Sequence, residues 1–186
     1  MRTQKYNLYI AYIAVAVIGF LLGLILGIMF PRRYRENFSD QNLLKEIHNK
    51  LVFRHGSLED EYPEQLLSVK YIKPTDKVLE IGGNVGRNSC IIASLLSDTR
   101  NLVVIESNPA DAQKLQENRD ANNMHFHIED SAISDVELYQ QNWITKPVNE
   151  IDEGGDWKKI KTIPWKEMKT KYNKNHYRET NIYKSP

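Results

Sequence analysis

The segment Val78-Leu-Glu-Ile-Gly-Gly-Asn-Val-Gly-Arg-Asn-Ser89 constrains the fold more than any other part of this chain. An apolar strand carries an acid near its end, a glycine-rich turn follows, and the apolar run Cys90–Leu96 reads as the helix that leaves it. Strand, tight turn and helix N-terminus in that order aim backbone N–H groups at a small polar ligand. Further strands and helices follow. Strand Lys77–Ile81 and helix Asn88–Leu96 lead to strand Asn101–Glu106, helix Ala110–Asn122 and a shorter strand, His125–Ile128. Apolar strands alternating with helices predict an α/β fold with a parallel sheet covered on both faces.

The chain has 186 residues, room for one modest domain, and a net charge of +1, which offers no basic surface for nucleic acid. Its mean hydropathy of −0.54 conceals two unlike parts. Leu8–Phe30 contains no charged residue. As a helix it would reach about 34 Å, enough to cross a hydrocarbon core of ~30 Å. It exceeds the apolar core of a signal peptide, roughly 7–15 residues, and it meets Pro31 without a small-x-small cleavage site. The expectation is a retained single-pass transmembrane helix. Arg32, Arg33 and Arg35 outnumber Arg2 and Lys5, which favours a cytosolic soluble part. The lone Cys90, which can form no internal disulfide, agrees with that. Gly19, Gly23 and Gly27 form a small-residue ridge on one helix face, the pattern through which two such helices would pair as a homodimer.

The expected organisation places the anchor at 8–30, a linker and helix at 31–50, the main domain at 51–172 and a loose tail at 173–186. Pro31–Asn37 reads as a basic linker, and Ser39 and Asp40 as caps of a helix over Gln41–Leu51. Ser57-Leu-Glu-Asp60 has the form of a capping box that starts a helix through Tyr71, burying Leu66, Leu67 and Val69. Beyond Ser134, Val136–Trp143 reads as an antiparallel ribbon and Ile163–Tyr172 as a short helix.

The site begins at Gly82-Gly-Asn-Val-Gly86. A dinucleotide cradle uses G-x-G-x-x-G to hold a pyrophosphate. Here its middle glycine is missing, and Glu80 would repel an anion while attracting an ammonium or sulfonium. That favours S-adenosylmethionine over NAD. Gly82 and Gly86 allow close approach of the backbone. Glu106, after four apolar residues, can accept both hydroxyls of a ribose. Glu129-Asp130 ends the third strand. Asp130 is the candidate acceptor for an adenine amino group, and a solvated turn acid is the competing reading. His125 and His127 lack a third residue at metal spacing and read as strand residues. Trp143, Trp157 and Trp165 read as packing residues, and Cys90 as a buried structural thiol.

Three segments together, Val78–Ser89, Val104-Ile-Glu-Ser-Asn-Pro109 and Glu129-Asp-Ser-Ala-Ile-Ser134, resemble the FkbM family of S-adenosylmethionine-dependent methyltransferases. Asn84 stands where that family tends to place asparagine, and Thr162-Ile-Pro-Trp-Lys-Glu-Met168 is similar to a later family segment. The resemblance covers 51–172. It implies a Rossmann-like class I methyltransferase fold, here the N-terminal half of its parallel sheet, beside the transmembrane helix. It implies that Glu80, Gly82, Asn84 and Gly86 hold the methionine end, with Gly83 and Ser107 in the same cofactor-binding set. Glu106 then holds the ribose and Asp130 the adenine. The acceptor it implies is an oxygen of a small molecule or glycan. The family continues with an apolar strand and an Asp-x-Glu-Gly motif. Asn173–Pro186 carries neither, so the expectation is a C-terminally shortened domain with an open edge at its first strand. The alternative is a membrane-tethered cofactor-binding or interaction protein without turnover.

Overall fold

A computed structural model describes residues 32–142, 144–152 and 154–173. Helix α1 runs over Arg32–Lys50 and α2 over Tyr62–Tyr71. Strand β1, Val78–Ile81, is followed by α3, Arg87–Leu95. Strand β2, Leu102–Ile105, is followed by α4, Pro109–Ala121, and β3 covers His127–Glu129. The three strands pair in parallel in the order β1-β2-β3, with Val78 opposite Leu102 and Val103 opposite His127. Beyond them lie short pieces: β4, Ala132–Ile133; β5, Leu138–Gln141; β6, Ile144–Pro147; β7, Lys158–Lys159; β8, Thr162–Ile163; and α5, Trp165–Asn173. β4 pairs with β8 in parallel, and β6-β5-β7 form a separate antiparallel sheet.

The pleat divides the sheet residues between two cores. Val78, Leu102 and Val104 pack with Cys90, Ile92, Ala93 and Leu96 of the α3 segment, with Leu115 of α4, and with Phe126. Leu79 and Ile105 face the other way and pack with Ile163, Met168 and Trp165 beneath α5. A third cluster joins Leu44 and Ile47 of α1, Val69 of α2 and Ile91 of α3. The site described below belongs wholly to the compact unit that begins at Leu43.

The fold class expected from the sequence needs correction. The chain is mixed α/β with small separate sheets, and a Rossmann-like methyltransferase fold is not shown. Only three strands share the parallel layer, and β1 lies at its edge. After β3 the chain lacks apolar runs long enough to extend that layer. It forms two-residue strands and a hairpin whose β5 residues are all half-buried instead. Among the described residues no helix is long and apolar enough to cross a membrane. The span expected at 8–30, the glycine ridge and most of the 173–186 tail lie outside the described residues.

Local expectations also change. Residues 32–37, read as a linker, are helical within α1, so Ser39 and Asp40 are not its caps. Ser57–Asp60 forms a turn rather than a capping box, with the Glu59 N–H donating to Ser57 Oγ at 3.1 Å. Helix α2 starts after Glu61, with proline in its first turn, and Leu67 remains 48% exposed on its outer face.

Asn118 of α4 is fully buried and ties three segments together. Its Oδ1 accepts from the Arg54 and His55 N–H groups at 2.7 and 3.1 Å. Its Nδ2 donates to the His55 and Val85 carbonyls at 3.0 and 2.8 Å. Asn118→Ala should leave these backbone groups buried and unmet. A loss of about 3 kcal/mol in unfolding free energy is expected by urea denaturation; a loss below roughly 0.5 kcal/mol would place the amide among neutral surface positions.

Candidate functional site

The glycine-rich turn folds over the end of β2. The Gly82 and Gly83 N–H groups both donate to the Ile105 carbonyl, at 2.8 and 3.0 Å. A side chain at Gly83 would bring a Cβ to 2.2 Å from Val104 Cγ1, so this glycine is required by the approach of turn to strand. Gly86 caps α3 at φ 93°, where a Cβ would also meet Leu115 at 2.5 Å. Asn84 adopts a left-handed φ of 49° and stabilises it locally: its Oδ1 accepts from the Val85 N–H at 2.7 Å. Gly82, at φ 81°, has open space where a Cβ would stand.

Glu106 organises the floor of the site. It is 8% exposed, and its two carboxylate oxygens accept one backbone N–H each, Asn84 at 2.7 Å and Asn108 at 2.8 Å. Each carboxylate oxygen has a second lone pair, so capacity remains for a ligand's hydroxyls. Asn108 in turn caps α4 through Ala110 N–H, and Pro109 opens that helix. One carboxylate thus fixes both turns at the sheet's end.

A cavity of about 630 Å³ opens there. Gly82, Asn84, Glu106, Asn108 and Asp111 line it from the turns and α4. Glu61 adds a carboxylate from the loop before α2, and Gln140 and Asn142 add amides from the β5–β6 hairpin. The lining holds three carboxylates and no basic side chain. Sequence reasoning found Gly82, Asn84 and Glu106. It missed Glu61, Asp111, Gln140 and Asn142, which only tertiary structure brings together, and Asn108, whose place before Pro109 is a local helix-start signal that was not used.

The remaining expected residues stand elsewhere. Glu80 does not line the cavity. It is 6% exposed and accepts from Asn88 Nδ2 at 2.9 Å and from Ser89 Oγ. Ser68 Oγ donates to Asn88 at 2.8 Å, extending this buried network to α2. Ser107 is half-buried and outside the lining. Asp130 pairs with Lys161 and is also outside it. Gly83 and Gly86 shape the turn from behind. Cys90 is fully buried, and its thiol is pushed up to about 12 by that burial and by the charge of Glu80. Trp165 packs beneath α5, while Trp157 lies under the Lys146 ammonium. Trp143 lies outside the described residues. Among the described residues no group of acids, histidines and cysteine could hold a metal ion.

Glu129 serves the opposite face. Lys171 Nζ and Tyr172 Oη of α5 donate to it at 2.6 and 2.7 Å, and Ser131 Oγ at 3.1 Å. Burial opposes its ionisation, but these donors outweigh burial and hold its pKa below the usual 4.5.

No protein-family model, curated protein or solved structure matches this chain. The chemistry of the site therefore rests on its own geometry.

A carboxylate with a depressed folded pKa adds stability above its unfolded value and loses it as pH falls through the folded value. Docking of α5 should therefore weaken below pH 4.5. Lys171→Met should move that transition upward, because burial of Glu129 is then less opposed. Near-ultraviolet circular dichroism followed against pH would test this; an unmoved midpoint would separate Glu129 from the acid transition.

Proposed function

We propose that this chain binds S-adenosylmethionine in the cavity above Glu106 and transfers its methyl group to an acceptor oxygen. The observation that carries the reading is the lining itself. Three carboxylates and no basic side chain line a cavity whose floor is a carboxylate held between two turns, while Arg87 pairs with Glu61 and Lys114 with Asp111 from outside that lining. Such a lining repels the pyrophosphate of a dinucleotide and suits a nucleoside that carries positive charge. Its volume falls within the range of roughly 300–1,000 Å³ common to small-molecule sites. In support of this reading, Glu106 has acceptor capacity left for ribose hydroxyls, and Gly82 has open space where a Cβ would stand. The resemblance of the glycine-rich segment to FkbM methyltransferases points the same way and supplies the acceptor class, a small molecule or glycan.

In this reading the bound S-adenosylmethionine would supply a methyl group directly to an acceptor hydroxyl: a C–O bond would form as the sulfonium C–S bond breaks, with the neutral thioether as leaving group and the hydroxyl proton passing to solvent. The protein contributes alignment: two reactants held in line need no covalent enzyme intermediate. Cys90 takes no part as a nucleophile, because a thiol that far from ionisation presents no thiolate at neutral pH.

Calorimetric titration of the full chain with S-adenosylmethionine tests binding, and transfer of labelled methyl to candidate glycans tests turnover. Glu106→Gln should weaken S-adenosylmethionine and adenosine alike, by about tenfold, since both carry the ribose. Saturable binding unaffected by this change would move the ribose away from Glu106. Absence of binding by the unaltered chain would end the reading.

A further inference from the structure

We propose that Glu61 is the charge-recognition residue of this cavity: its carboxylate receives the cationic methionine end of the bound nucleoside. The proposal rests on the nucleoside reading above and assigns to Glu61 the task that the sequence gives to Glu80. Glu80 faces the α3 side of the sheet and accepts from Asn88 and Ser89, outside the cavity. Glu61 lines the cavity, with its side chain 26% exposed, within reach of a ligand without standing in bulk water.

Its backbone adds a separate argument. Among the described residues four that are not glycine have positive φ: Glu61, Asn84, Asn123 and Asn142. Three of these four line the cavity. Asparagine tolerates the left-handed region through short local hydrogen bonds, and glutamate is found there less often. Glu61 holds φ 60° and makes no side-chain cap to α2. A residue in so sparsely populated a region carries backbone strain and persists where its surroundings fix it.

Arg87, the first residue of α3, does the fixing. Its Nε donates to the Ser57 carbonyl at 3.2 Å and lies 3.3 Å from Asp60 Oδ2. Its Nη1 donates to Asn84 Oδ1 at 3.1 Å and lies 3.7 Å from Glu61 Oε1. One guanidinium therefore positions the Glu61 loop against the glycine-rich turn. Had the loop needed only to turn, glycine at position 61 would do so without the strain. The glutamate places a negative charge on the cavity wall.

The test compares two ligands on the full chain. S-adenosylmethionine carries the ammonium and sulfonium; adenosine carries neither and shares the nucleoside. Glu61→Gln should lower the affinity for S-adenosylmethionine by about tenfold or more and leave that for adenosine unchanged. Glu61→Gly should show the same selective loss while raising the thermal midpoint, because glycine accepts the left-handed backbone. Equal loss of both ligands, or no loss of either, would overturn the proposal by reducing Glu61 to a turn residue. Binding of neither ligand by the unaltered chain would remove the nucleoside reading and this proposal with it. Binding of adenosine alone would keep the nucleoside site and overturn the charge recognition.

Discussion

The site depends first on a neutral interaction, the buried amide of Asn118. Its four hydrogen bonds reach Arg54, His55 and Val85, so one side chain of α4 holds the loop after α1 against the glycine-rich turn. A buried backbone group must find a partner, and a loop offers few of its own. The amide supplies both donor and acceptor where neither helix nor sheet can. Arg87 grips the same loop further along, at Ser57 and Asp60. Between these two anchors runs the segment that ends at Glu61, which is how a stretch without regular structure becomes a fixed wall of the cavity.

Carboxylates in this fold are used as connectors. Glu80 joins β1 to the first turn of α3, and Glu106 joins the glycine-rich turn to the start of α4. Glu129 joins β3 to the last turn of α5. All three stand near the C-terminal ends of the parallel strands and all are more than nine-tenths buried. They differ in what they face. The side chain of Glu80 follows Val78 onto the α3 face and that of Glu129 follows Ile105 onto the α5 face, while Glu106 lies at the sheet's end, where the cavity opens.

That alternation explains what could be read in the sequence and what could not. The three apolar strands, the turn at Gly82–Gly86 and the place of Glu106 at the end of the second strand follow from local pattern, and the observed strands agree within a residue or two. Glu80 was read as a cofactor residue, although a period of two puts it on the face of Val78, toward the helix rather than the cavity. The far wall was not legible. Gln140 and Asn142 reach the cavity only because a hairpin folds back from beyond β3, and Glu61 because Arg87 and Asn118 hold its loop. No local propensity encodes either placement. The capping-box pattern at Ser57 misled for a related reason. Pro63 fixes where α2 can start, and the chain uses Ser57–Asp60 to turn before it.

The burial of Cys90 carries a consequence for where such a domain can operate. Oxidants act on thiolate, and this sulfur is neither ionised at neutral pH nor exposed to solvent. The folded unit is therefore indifferent to redox poise: it forms no intermolecular disulfide in an oxidising lumen and needs no reductant to stay native. The lone cysteine, read in the sequence as a pointer to the cytosol, gives no information about compartment once its surroundings are known.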